Sequence, residues 1–217
     1  MMTNLFSVFD PATGFLSLNW LSMILIILTP NPYWNTPSKI VCVMLMINKK
    51  LSNEINMHLK SSETSIILIS LFMFILMNNI LGLLPYVFTA SAHLSFSLSM
   101  ALTLWISLML YGWINKTNGM LIHLVPIGTP YPLMPFMVLI ETISNIIRPG
   151  SLAVRLSANM IAGHLLMSLL GNNLIENSML LTLMMWLFMG LMMFEMAVAF
   201  IQSYVFMTLS TLYSSEI

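Results

Sequence analysis

Polar residues interrupt this chain so rarely that the gaps between them draw its outline. Apolar stretches run from about Gly14 to Thr29, Ser65 to Tyr86, Leu94 to Trp113, Leu133 to Leu170 and Met179 to Tyr213. Such runs predict membrane helices, because a bilayer gives the backbone no water to bond and only helices or closed barrels satisfy it internally. A barrel's alternating strands would leave a weaker pattern. The first stretch is short and ends at Pro30, Pro32 and Pro37. Between it and the second, Ile40, Met44, Ile47, Leu51 and Ile55 recur every three or four residues, with Lys49, Asn53, Asn56 and Lys60 opposite. That pattern predicts an amphipathic helix over 38–60 lying in the membrane interface.

The last two stretches exceed an upright span. As helices they would run about 57 Å and about 52 Å, against about 30 Å of hydrocarbon, which requires a tilt of about 55°. Pro149 adds a kink by removing a backbone donor and crowding the carbonyl of Asn145. The expected fold is an all-α integral membrane protein with about five membrane helices plus one interfacial amphipathic helix. The last two helices form a long, strongly tilted antiparallel hairpin. Residues 1–217 make one membrane domain: helices over 14–29, 65–86 and 94–113, the interfacial helix over 38–60, and long tilted helices over 120–170 and 179–213. No internal repeat is visible.

Composition agrees. The chain is 59% hydrophobic and 6% charged, where a soluble domain is about 25% charged, and its mean hydropathy is +0.93. A net charge of zero leaves no basic footprint for nucleic acid. The single Cys42 excludes an internal disulfide and a multi-cysteine metal site. Methionine is 23 of 217 residues, the usage expected of an A/T-rich organellar genome with an extra Met codon; Met also fills irregular gaps in helix packing. Met1 to Gly14 contains no Lys or Arg, so it matches neither a secretory signal nor an Arg-rich transit peptide. Four of the seven cations, Lys39, Lys49, Lys50 and Lys60, lie in one loop region, and Lys116 follows the third stretch. The positive-inside rule puts both regions on the inner side. The N-terminus and the connections near Tyr86–Ala92 and Gly171–Ser178 then lie outside, and five crossings leave Ile217 inside.

Against this background the fourth stretch carries Glu141, Asn145, Arg148, Arg155, Asn159 and His164. A charge at the bilayer centre costs about 2.5–3.5 kcal/mol on insertion scales, so such residues face protein or water. At helical spacing, Glu141, Asn145, Arg148, Arg155 and Asn159 share one face. Beside Arg155 that face carries only Ser151, Ala158 and Ala162, small residues that let another helix come close. The fifth stretch answers with Glu195 and Gln202, also on one face. Counted from the outer turn, His164 and Glu195 lie nearer the outside, Arg155 and Gln202 near mid-depth, and Glu141 towards the inside. Protonatable groups thus approach a permanent cation from both faces. Structural readings stand beside this one: Glu141–Arg148 as a buried pair, His164 as a core hydrogen-bonder, Glu195 and Gln202 as an interhelical clasp. Arg155 has no acid within reach on its own helix turn. Only His164 lies well inside a span, which excludes a bis-histidine haem, and no His or Cys cluster suits copper or zinc.

The run Met134-Pro-Phe-Met-Val-Leu-Ile-Glu141 through Asn145-Ile-Ile-Arg148-Pro-Gly-Ser-Leu-Ala-Val-Arg155-Leu-Ser-Ala-Asn159 to Gly163-His164 resembles the subunit a family of mitochondrial ATP synthases. Leu110-Tyr-Gly-Trp-Ile-Asn115, His123-Leu-Val-Pro-Ile-Gly-Thr-Pro130 and Ile201-Gln-Ser-Tyr-Val-Phe206 support it, and the opening Met1 to Pro11 is similar to arthropod members. The resemblance implies a non-catalytic stator in the mitochondrial inner membrane, with its N-terminus towards the intermembrane space and its Lys-rich loop and C-terminus towards the matrix. Its implied partners are a rotating ring of small hairpin subunits, each with one mid-membrane carboxylate, the peripheral stalk and other membrane-sector subunits, lipid and protons; no cofactor is implied. Protons would reach the ring by one half-channel and leave by another. On that resemblance Arg155 faces the ring, His164 and Glu195 line the inlet, Asn159 and Gln202 flank Arg155, and Glu141 lines the outlet; Arg148 matches without an implied role. Arg keeps its proton at working pH, and His titrates near neutrality. The rival readings are a self-contained transporter, which favours inverted repeats, and a purely structural membrane subunit, which has no use for Arg155 and Glu195 at depth.

Overall fold

The computed structural model describes residues 5–14, 16–29, 36–59, 62–125, 128–176 and 181–216. Pro30, Pro32, Lys60 and the turn about Ser178 therefore lie outside the described residues. The architecture is helical, with no strand among the described residues. Six α-helices follow two short 3₁₀ segments, Leu5–Phe9 and Leu18–Leu28: α1 Lys39–His58, α2 Ser62–Gly82, α3 Leu94–Asn115, α4 Thr117–His123, α5 Met134–Glu176 and α6 Leu181–Glu216. Four helical stretches among the described residues are long and apolar enough to cross a membrane: Thr64–Gly82, Leu94–Asn115, Tyr131–Asn172 and Met184–Ser215.

The expected first membrane helix differs. Leu18–Leu28 is a 3₁₀ segment of 11 residues, about 22 Å at its steeper rise, shorter than the hydrocarbon layer. Nearby polar groups hold this segment: the Thr13 hydroxyl donates to the Leu16 carbonyl and the Asn19 amide to that of Asp10. Ser22 reaches across 66 positions to donate to the Phe88 carbonyl. The helix expected from residue 120 begins at Met134, and residues 117–123 form the separate α4. Pro130, Pro132 and Pro135 crowd the junction, where a missing N–H is tolerated only in a helix's first turn. Farther on, α5 continues through Pro149.

Helix α1 starts at Ser38, whose hydroxyl accepts from the Val41 N–H. Its apolar face divides in two. Leu51 and Ile55 pack with Leu68, Phe72 and Leu76 of α2 and Met207 of α6, while Ile40 and Ile47 remain exposed. A second core joins four helices through Ile75, Ala101, Leu152, Ala153, Leu156 and Phe206. Here α2, α3, α5 and α6 meet, and that junction fixes the face α5 turns outward. Only 11% of the most apolar stretch of α6 is buried within the chain, and Trp186, Met193, Phe194 and Ile201 stand bare. Lipid or other protein must cover them, since water would not.

Ala153 is fully buried in the four-helix junction, where close approach depends on a small side chain. Ala153→Leu is expected to cost about 1–3 kcal/mol by overpacking, read as a lower midpoint in thermal unfolding of the detergent-solubilised protein.

Candidate functional site

The polar residues of α5 do not stay together. Arg155 is exposed, as are Ser151, Ala158 and Ala162, so the cation and the small-residue stripe share an uncovered surface. Among the described residues no acid lies within ion-pairing distance of Arg155; the ion pair recorded joins Arg148 to Glu141. Asn159, on the same broad face, is partly buried instead, its Nδ2 donating to Gln202 Oε1 of α6 at 3.0 Å. The clasp couples α5 and α6 about one helical turn along from Arg155.

Towards the C-terminal end of α5, Glu195 is buried with its carboxylate against Gly163. The missing side chain makes that space: any Cβ at Gly163 would collide with the carboxylate. His164 follows directly. It faces a cleft of about 680 Å³ shared by the N-terminal segment, the α2–α3 connection, the end of α5 and the start of α6. Asp10, Asn19, Ser168 and Asn172 are among the polar lining. Phe9 meets the His164 ring edge-on, with centroids 6.2 Å apart. No hydrogen bond joins His164 to Glu195 among the described residues; Glu195 packs instead on the adjoining Gly163.

Between cleft and clasp lies a polar group that periodicity alone does not pick out. Asn79, Thr89 and Ser91 are almost fully buried, and Asn79 Nδ2 and Oδ1, Thr89 Oγ1 and Ser91 Oγ have no hydrogen-bond partner. Thr89 touches the position a Cβ would take at Gly82, with Met160 of α5 just beyond. Since Ile75, Leu156 and Phe206 pack together, Asn79, Met160 and Gln202 occupy the next turn of their helices on the cleft side. His164 Nε2 and Gln202 Nε2 are likewise buried without partners. Buried polar groups of this kind are normally satisfied by water. The signal was the pair Asn78–Asn79 at the end of an apolar helix, but only tertiary contact places it beside Thr89.

At the opposite end a small cavity of about 50 Å³ is lined by Trp105, His123, Glu141, Asn145, Arg148 and Tyr213, among others. Arg148 Nη2 lies 3.8 Å from Glu141 Oε1, and its guanidinium sits 5.2 Å from the Tyr213 ring centroid, within cation–π range. Arg148 is thus held by both an acid and a ring. His123, which from sequence reads as a loop residue without a role, lines the same cavity.

The chain has clear relatives among known proteins. A sequence model described as "ATP synthase A chain" matches residues 13–215. The chain is 54% identical to a protein named ATP synthase subunit a from Locusta migratoria, 57% identical to that of Drosophila mauritiana and 55% identical to that of Anopheles gambiae. Each match covers 100% of both chains.

The fit of Glu195 over Gly163 can be tested as a pair. Gly163→Ala is expected to lower stability by about 1–3 kcal/mol, and adding Glu195→Asp, which shortens the intruding side chain, should recover part of the loss. Thermal midpoints of the four forms give the coupling between the two positions; additive effects would mean that the contact does not exist.

Proposed function

This chain belongs to the ATP synthase A chain family, and from that premise we propose that it is the stator subunit that carries protons to and from the carboxylates of a rotating ring. It makes no bond in ATP. It couples the proton gradient to rotation, and a catalytic head elsewhere in the complex forms the nucleotide. The subunit sits in the mitochondrial inner membrane with the cleft towards the intermembrane space. Its basic residues gather at the other end, towards the matrix.

Arg155 carries this proposal: an exposed cation amid Ser151, Ala158 and Ala162 on α5, without an acid in reach among the described residues. In a membrane such a charge needs a partner, and a helix bearing a carboxylate, pressed against the small residues, would supply it. The bare face of α6 would complete the same surface. Because α5 ends at the cleft and α6 begins there, with Gly163 against Glu195 and Asn159 bonded to Gln202, the two helices are proposed as an antiparallel hairpin. At 43 residues, about 64 Å, α5 must lie strongly aslant in the bilayer.

The inlet runs from the cleft past His164 and Glu195, then through the buried polar group at Asn79, Thr89 and Gln202, which water would satisfy. Along the helix axis His164 is about 13 Å from Arg155, too far for direct transfer, so hydrated polar groups are required between them. The outlet starts on the other side of Arg155 and passes the cavity at Glu141. Arg155 separates the two: it attracts the ionised ring carboxylate and cannot pass a proton on. The Glu141–Arg148 pair keeps a carboxylate at the matrix end while Tyr213 shares the guanidinium.

The test is Arg155→Gln in the assembled complex, with ATP-driven proton pumping and passive leak measured in vesicles. Pumping is expected to disappear in a complex that still assembles, with leak unchanged or raised. Normal pumping would overturn the proposal.

A further inference from the structure

The cleft at His164 contains one acidic side chain among its lining residues, Asp10, and the pathway above does not use it. Asp10 is held firmly for a residue so near the chain end. Its N–H donates to the Ser7 carbonyl at 3.3 Å, its carbonyl accepts from Asn19 Nδ2 at 3.2 Å, and its Oδ1 accepts from the Ala12 N–H at 3.3 Å. Ser7 and Asn19 line the cleft as well. The preceding residue, Phe9, is the one whose ring edge meets His164. The segment that presents the carboxylate is therefore anchored at the imidazole.

The surroundings suit a charge exposed to water. Asp10 itself is exposed, and among the described residues no Lys or Arg lines the cleft. The titratable side chains facing it are His164 from α5 and the phenol of Tyr86 from the α2–α3 connection; α6 contributes Phe188 and Met192, which carry no charge. Glu195 is turned against Gly163 instead. A fixed negative charge at the mouth of a low-dielectric cleft concentrates cations and speeds their arrival. We propose that Asp10 is the proton-collecting carboxylate at the mouth of the inlet, taking protons from outer water and releasing them through the cleft to His164. Each transfer returns Asp10 to its ionised form, so nothing besides water and the gradient is consumed. The inference rests on the cleft being the inlet side.

The test uses the intact complex in vesicles, measuring ATP synthesis against the pH on the cleft side at constant total driving force. A collector matters most when protons are scarce. Asp10→Asn should slow synthesis about threefold or more at pH 8, with the deficit narrowing to within about twofold at pH 5.5, and Asp10→Glu should recover the pH 8 rate. Wild-type synthesis at pH 8 should also fall as salt screens the mouth, a measurement that needs no variant to assemble. Equal rates at every pH, a uniform loss across the pH range, or no salt dependence in the wild type would each overturn the assignment of Asp10. Arg155→Gln measured alongside separates the two levels. If it is inactive while Asp10→Asn is normal, only the collector fails; if it is fully coupled, the stator reading fails too.

Discussion

The cost of leaving a charge or an unpaired polar group in hydrocarbon governs this molecule. A spanning segment cannot hide such groups in surface water, so each must meet protein, trapped water or a second subunit. The polar residues of α5 differ in whether the chain itself meets that need. Arg148 is taken up by Glu141 and the Tyr213 ring. Asn159 is taken up by Gln202. Arg155 has neither and faces outward from an otherwise small-residue surface. The difference between them sorts internal structure from interface, although all three lie on one broad face of one helix.

Packing serves that sorting. The junction of Ile75, Ala101, Leu152, Ala153, Leu156 and Phe206 is apolar and close, and in a bilayer such contacts hold helices by shape more than by expulsion of water. It lies on the side of α5 away from Arg155, so it sets the rotation of the helix. One turn farther towards the cleft the same helices carry Asn79, Thr89's contact with Gly82, and Gln202. The dry junction thus gives way directly to a polar zone, a boundary suited to keeping water on one side of the arginine.

Sequence pattern conveyed some of this. The apolar runs near α2, α3, α5 and α6 stand out because almost nothing polar breaks them. The alignment of Ser151, Arg155, Ala158 and Ala162 follows from helical spacing; the family resemblance set Asn159 and Gln202 beside Arg155, and their bond to each other emerges only in the structure. What was illegible depends on chain segments folding back. Leu18–Leu28 reads as a short membrane helix by hydropathy, but polar anchors at Thr13, Asn19 and Ser22 hold it in a 3₁₀ course. The α1 stripe reads as one apolar face, yet α2 and α6 cover only its C-terminal half. His123 is a loop residue until α4 brings it to the cavity at Glu141.

Asp10 illustrates why such residues escape periodicity. In the sequence it is a lone acid before a proline, remote from every other charge, and nothing in its spacing links it to position 164. The link is made by the N-terminal segment, which shares the cleft with the end of α2 and with α5 and is fastened through backbone groups of Asp10 and the side chain of Asn19. Those bonds hold the backbone, the Ala12 N–H holds Oδ1, and the exposed carboxylate stays at the cleft while the Phe9 ring meets His164 edge-on. A membrane protein has few places where a fixed negative charge can stay ionised at no desolvation cost, and the rim of a hydrated cleft is one of them. On the proposed reading, placing the acid there separates two physical tasks: concentrating protons falls to a charge in water, and passing them inward falls to the imidazole that faces the same cleft.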